Sequence, residues 1–208
     1  LLKPGVRRSD ALVMTSPVPN PTAVRRRVAS ARLIVVAGLI VTAGMLAPRA
    51  AHPESSRSAR CSATVSPDAV LERLNATRTR GAVCHRPGTP THAAPLAWNP
   101  RLEAVAAAQA QDMAKLDQMS HHDSLHRNLG ERLDAMGYRF SAAAENVAVG
   151  YASLDAVVDA WLDSEAHCAN LMSAKVAELG LACSDGSADA SGTGRYWTLV
   201  LGAPSRAR

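Results

Sequence analysis

Three features of the chain point to an α+β fold. Apolar residues recur at helical spacing between Val70 and Leu162, and two runs after Glu178 have the short period of strands. Neither an internal repeat nor a glycine-rich phosphate loop interrupts the series. Helices early and antiparallel strands late place helices against a small sheet. Only 3% of the residues are aromatic, so aliphatic side chains and alanine must build the core.

The elements follow in chain order. Ser66-Pro67-Asp68 is a helix start, with a hydroxyl N-cap, proline in the first turn and an acid at the positive end of the dipole. Val70, Leu71 and Leu74 form its apolar face, and the Gly- and Pro-rich stretch from Gly81 to Pro95 reads as a loop. Asn99-Pro100 opens a second helix, whose stripe of Leu102, Val105, Ala106, Gln109, Met113 and Leu116 is expected to be core. Asn128 with Glu131 is a capping-box start for a third helix, with Leu129, Leu133 and Met136 inside and Gly137 as its stop. Ser153 caps a fourth helix through Val157, Val158, Trp161 and Leu162, and a short helical turn covers His167 to Met172. Glu178–Cys183 and Arg195–Leu201 read as strands, joined by a hairpin loop over Asp185–Gly194.

The charge is divided along the chain. Residues 1–60 carry ten Lys/Arg against two Asp/Glu, whereas residues 61–208 carry thirteen against sixteen. The basic excess lies in the N-terminal part, so the domain itself lacks the clustered cations that binding nucleic acid requires. Arg25–Arg27 and Arg32 precede an uncharged apolar run, Leu33–Leu46, followed by small residues. This order is that of a secretory signal, and the run is short for a membrane span of about 20 residues. Pro48 and Arg49 interrupt the cleavage pattern, so an uncleaved anchor stays open as the one route to a membrane, and Met14 is a second candidate start. The resulting division is 1–51 N-terminal extension and signal peptide, 52–65 linker, 66–203 domain and 204–208 tail. Cys61, Cys84, Cys168 and Cys183 all follow the apolar run, an even count that fits disulfides in a secreted or cell-envelope protein. Of the three pairings, the local ones are expected, Cys168–Cys183 and Cys61–Cys84.

Four segments occur in a fixed order: Met119-Ser120-His121, Ala144-Glu145-Asn146-Val147-Ala148, Trp161 through His167 to Met172, and Tyr196-Trp197-Thr198-Leu199-Val200. With Leu96-Ala97-Trp98-Asn99-Pro100 opening the long helix, they resemble the CAP superfamily (cysteine-rich secretory proteins, antigen 5 and pathogenesis-related proteins), in its bacterial secreted branch, over roughly residues 68–203. The resemblance implies an α-β-α sandwich, a central antiparallel sheet between helical layers, with a cleft open on one side. It places His121, Glu145 and His167 in that cleft. Where relatives carry Gly-Glu-Asn this chain has Ala144, where bacterial relatives carry Ser-Pro-Gly-His it has Ala166 before His167, and where eukaryotic members have a cleft histidine it has Tyr196. Tyr196 is therefore the candidate to offer a hydroxyl to the cleft.

Two imidazoles and a carboxylate, His121, Glu145 and His167, are a donor set suited to a divalent metal such as zinc, with a fourth position open. No His-Glu-x-x-His prepositions them on one helix. Three readings follow. The first is an extracellular binding or interaction module whose cleft holds a metal, small ligand, lipid or glycan, or whose surface meets an envelope protein. The second is a zinc-dependent hydrolase or peptidase, for which the sequence offers no identifiable nucleophile or general base. The third is a structural cluster in which Glu145 ties two imidazoles together without any ligand. Asp123 is expected to be a solvated turn residue, His122, His126 and Glu165 surface residues, Asn146 a backbone-satisfying residue, and Ser164 the cap of the turn around His167.

Overall fold

The computed structural model describes residues 12–15, 61, 65–84, 88–186 and 194–205. The apolar run Leu33–Leu46, most of the linker and residues 206–208 lie outside the described residues. Among the described residues no helix is long and apolar enough to cross a membrane. All of them belong to one compact unit, formed by Leu1–Val18 and Ala59–Arg208.

Among the described residues, five helices and five strands are built into this unit. In order they are β1 (Leu12–Thr15), α1 (Pro67–Arg80), β2 (Ala97–Trp98), α2 (Pro100–Leu116), α3 (Leu129–Ala135), β3 (Phe140–Val149), α4 (Leu154–Asp163), α5 (Glu165–Leu171), β4 (Glu178–Asp185) and β5 (Arg195–Pro204). The sheet order is β1-β3-β5-β4-β2. Its centre is antiparallel, as expected, and the short edge strands β1 and β2 run parallel to their neighbours. The helix starts follow the expected chemistry: Ser66, Asn99, Asn128 and Ser153 each accept a backbone N–H, and Asn128 with Glu131 closes a full capping box. Gly137, at φ 69°, turns the chain out of α3 in the left-handed region.

Strand β3 has no strand signal in its sequence. Phe140-Ser-Ala-Ala-Ala-Glu-Asn-Val-Ala-Val contains good helix formers, and seven successive residues, Ala142–Ala148, are buried. A strand covered on both faces loses the alternation by which strands are recognised. Its even residues Ala144 and Ala148 join Trp161, Trp197, Leu199 and Leu201 in the core beneath α1, α4 and α5. Its odd residue Ala143 joins Leu102, Val105, Leu129, Leu133 and Val200 beneath α2 and α3. The α-β-α layering implied by the resemblance is thus the observed one. Glu145 continues the odd series and so enters the α2/α3 layer.

Gly180 lets α2 lie directly on β4. A Cβ there would stand 2.0 Å from the amide nitrogen of Glu103, a contact with rigid helix backbone that no rotamer change relieves. The two alanines that replace family glycines carry no comparable strain. Ala144 sits within a strand and Ala166 within a helix, and among the described non-glycine residues only Asp117 and His126 have positive φ.

The disulfides differ from the expected local pairings. Cys61 joins Cys183 and Cys84 joins Cys168, with Cα–Cα separations of 5.7 and 5.3 Å. Cys168 lies on α5, which docks on β3, whereas Cys183 lies on β4, with β5 between. Proximity in sequence does not bring these two together, because the chain crosses the sheet between them. Each observed bridge instead ties an N-terminal segment to a late element, across 122 and 84 residues.

A buried His–Glu–Arg cluster as candidate functional site

Glu145 is fully buried; its Oε1 accepts two hydrogen bonds, whereas Oε2 has an ion-pair neighbour but no hydrogen bond. His121 Nδ1 donates to Oε1 at 2.8 Å, and Arg132 Nη2 donates to the same oxygen at 3.1 Å. Arg132 Nη1 lies 2.9 Å from Oε2, completing a two-pronged ion pair. Arg132 Nη2 also donates to the carbonyl of His121 at 3.0 Å. Of the two contacts with Glu145 only that of Nη2 is a hydrogen bond; Nη1 and Oε2 are close in distance without one. The cluster therefore joins β3, α3 and the loop after α2 in one buried network.

Gln109 holds the same loop from α2. Its side-chain amide donates to the carbonyls of Ser120 and His122, at 2.7 and 3.3 Å, on either side of His121. Asp123 is buried and organises the remainder of the loop. It accepts from the backbone of Leu125 and Arg127 at 3.0 and 2.8 Å and from Arg127 Nε at 2.7 Å. Burial alone would raise its pKa. The hydrogen bonds and charge of Arg127, with the Leu125 amide, outweigh that and hold it below the usual carboxylate value. The expected solvated turn residue is thus a loop-building one, whereas His122, His126 and Glu165 are exposed as anticipated.

His167 approaches from the opposite layer on α5, which Asn146 and Asn170 latch to β3. Asn146 Nδ2 donates to the His167 carbonyl at 3.1 Å, and Asn170 Nδ2 donates to Asn146 Oδ1 at 2.9 Å. The ring is 3% exposed, Nδ1 is 2.8 Å from Ser164 Oγ, and buried Nε2 has no hydrogen-bond partner. Ser164 therefore orients the imidazole; its side chain makes no helix cap. Burial, reinforced by the nearby His121 charge, pushes the pKa of His167 down to about 4.

The structure thus brings His121 onto Glu145 and places His167 within electrostatic reach of His121. Tyr196 does not join them. Its hydroxyl donates to Asp117 Oδ1 at 2.7 Å, and its ring packs with Met113 and Val147. It lies four residues along β5 from Val200, the partner of Glu145, a distance of about 13 Å at strand rise.

As arranged, the donor set does not fit a metal. Arg132 adds a cation to the one carboxylate a metal would need, and displacing it would leave a buried guanidinium unpaired. Among the described residues no group of three His, Cys, Asp or Glu is placed to hold an ion. Arg132 was findable from periodicity. It lies three residues after Leu129 and just before Leu133, on the inward stripe of α3, and a cation there calls for a buried acid. Two of the expected core residues turn outward instead: Leu116, at the end of α2, and Met136, just past α3, are 56% and 44% exposed. Two grooves of about 280 and 350 Å³ flank the Ser120–Arg127 loop, the first reaching Arg132 and Gln109 and the second lined by His122 and His126.

Comparison with known proteins gives consistent matches. The profile of the cysteine-rich secretory protein family (CAP) matches residues 71–201, more than half of the chain. The uncharacterised membrane protein YlbC of Bacillus subtilis is 32% identical over 88 residues, which are 42% of this chain and 25% of YlbC. The uncharacterised protein YkwD of the same organism is 28% identical over 87 residues, which are 42% of this chain and 34% of YkwD. The chain thus spans about a quarter to a third of the length of these relatives. The structure of an extracellular SCP-domain protein from Bacillus anthracis matches with TM-score 0.51 at 25% identity, over 66% of this chain and 44% of that one. An outer surface protein of Borrelia burgdorferi shares the fold, with TM-score 0.53 at 17% identity, over 66% of this chain and 92% of that one.

Proposed function

The chain belongs to the cysteine-rich secretory protein (CAP) family, and from that premise we propose that it is an exported, non-hydrolytic binding module, secreted or held at the cell envelope. Two disulfides and the extracellular SCP-domain relative support the compartment. The observation that carries the non-hydrolytic reading is the state of Glu145. A carboxylate without solvent contact, ion-paired to Arg132 and hydrogen-bonded to His121, is out of reach of a substrate or bulk water. In this reading the cluster is a positioning device. It fixes the Ser120–Arg127 loop, and the grooves on either side of that loop are where a small ligand, lipid or glycan would meet the domain.

A second reading, a metal-dependent hydrolase, draws on the unpartnered Nε2 of His167. One experiment separates the two. Purified protein is assayed against peptide and ester libraries with added zinc and after chelation, beside Glu145→Gln. The binding reading expects no zinc-dependent turnover from either protein. Zinc-dependent turnover by the unmodified chain that disappears in a folded Glu145→Gln variant would overturn it.

A further inference from the structure

We propose that the groove between α2, the end of α3 and the Ser120–Arg127 loop binds a small uncharged amide with an apolar body, the chemistry of a short apolar peptide segment. The inference rests on the reading of the domain as a binding module and names the ligand class of one of its two grooves.

The groove has a volume of about 280 Å³, and its polar lining includes the buried side chains of Gln109 and Arg132. The orientation of the Gln109 amide is fixed by its partners. The carbonyls of Ser120 and His122 can only accept, so Nε2 must face them and Oε1 is turned away. Oε1 has no hydrogen-bond partner. Arg132 Nη2 is taken by the His121 carbonyl and Glu145, while Nε has no hydrogen-bond partner. Buried polar atoms left in this state are rare in folded proteins, and each calls for a partner. Two residues lining one groove thus leave an acceptor and a donor to be met.

These two atoms select among ligands. A carboxylate could accept from Arg132 Nε but has no proton for Gln109 Oε1. An ammonium group could donate to Oε1 but offers nothing to Nε. A secondary amide carries an N–H and a C=O on separate atoms and serves both. The charges of the groove add no preference for an ion. Arg132 faces Glu145 and Arg127 pairs with Asp123, and the other charged residues of the lining are Asp112 and Lys115, one of each sign.

The remaining lining asks for an apolar body. Ala104, Ala108 and Ala135 leave space, and Leu125 and Met136 stand beside it, exposed to 69% and 44%. The loop cannot fold Leu125 away. The amides of Ser124, Leu125 and Arg127 are held by the carboxylates of Asp112 and Asp123. A leucine fixed in solvent beside a groove is a ready contact for an apolar group. The volume lies at the lower end for small-molecule sites, which suits a residue or two of peptide. An acetamido sugar would supply the amide but would set hydroxyl groups against Leu125 and Met136.

The test is a titration of purified, isotope-labelled protein with N-acetyl-leucine N-methylamide, followed by NMR at the Gln109 side-chain amide and the Arg132 Nε–H. Both signals should move and saturate, with an affinity of about millimolar for a ligand of this size. The same compound with both amide nitrogens methylated keeps its acceptors and apolar body but has no donor, and should bind at least tenfold more weakly. Isocaproate, an apolar body with a carboxylate, and the methyl glycoside of N-acetylglucosamine, an amide on a polar body, should show the same loss. Ala108→Leu fills the groove from an exposed position on α2 with another good helix former, so it should abolish the shifts without disturbing the fold. Met136→Ser, just past α3, should weaken binding severalfold. No saturable shift at either group, equal binding of any of the three control compounds, or undiminished binding by both variants would overturn the proposal. Cleavage of the probe would overturn the non-hydrolytic reading as well, whereas an intact probe that fails to bind would overturn this proposal alone.

Discussion

The ion pair between Arg132 and Glu145 gives the sharpest quantitative expectation. Arg132→Met keeps the length and apolar stem of the side chain while removing its charge. Glu145 then remains wholly buried with His121 as its one identified side-chain partner, and the His121 carbonyl loses the Arg132 donor. Breaking one half of a buried pair costs about 3–5 kcal/mol, because the remaining charge is left without compensation. For a domain of this size that corresponds to a fall of about 10–20 °C in Tm. Glu145→Gln should cost a similar amount by stranding the guanidinium. The double variant is the informative one. With both charges gone, its loss should resemble that of one single variant and fall well below the sum, a coupling as large as one single loss, about 3–5 kcal/mol. Urea unfolding of the four proteins under non-reducing conditions measures this directly. A loss below about 1 kcal/mol for Arg132→Met, or additive losses in the double variant, would refute the view that the pair is a single buried unit.

Further expectations follow from the structure. The folded-state pKa of His167, about 4, lies below its ordinary value of 6.5, so between these values the unfolded chain takes up a proton that the folded one does not. Stability should therefore be complete above pH 6.5 and fall as the pH drops toward 4, by about 3 kcal/mol at most, and His167→Gln should flatten that segment of a urea-unfolding pH series. Asp123, with its lowered pKa, adds a separate loss at lower pH, as the solution becomes acid enough to protonate it in the folded state. Peptide mapping without reduction should recover Cys61 with Cys183 and Cys84 with Cys168; removing Cys84 and Cys168 together as serines should cost about 4 kcal/mol, given the 84-residue span they close.

The helices were legible because their signals are local. Each start from α1 to α4 has its own cap, and their faces repeat at helical spacing, so neighbours a few residues apart suffice to place them. Strand β3 and both disulfides depend on partners far along the chain. Ala142–Ala148 become a strand because β5 pairs with them and helices cover both faces, and nothing within the segment itself demands it. Cys168 and Cys183 looked like a pair by distance in sequence, yet the sheet order sets them on elements separated by β5. The contact between His121 and Glu145 was legible through the resemblance, whereas Tyr196 stands apart from them. The aromatic ring in the position of a cleft histidine turns to Asp117 at the far end of α2.

Arg132 decides what kind of site those residues can form. Two imidazoles and an acid, considered alone, are equally a metal centre or a hydrogen-bonded tie. A guanidinium on the inward face of α3 weighs toward the tie, since it faces the carboxylate at 2.9 Å and is itself held by it. It also donates to the backbone of His121, so the same side chain fixes both the charge of the cluster and the position of the loop. A carboxylate retained for catalysis would need a route to water. This one has no solvent contact and a permanent cation beside it. Loss of activity on replacing Glu145 would therefore have to be weighed against loss of the loop it holds. Arg132→Met separates these causes, because it dislocates the loop while leaving the carboxylate in place. A binding defect shared by Arg132→Met and Glu145→Gln would trace to loop position, and one confined to Glu145→Gln would trace to the carboxylate itself.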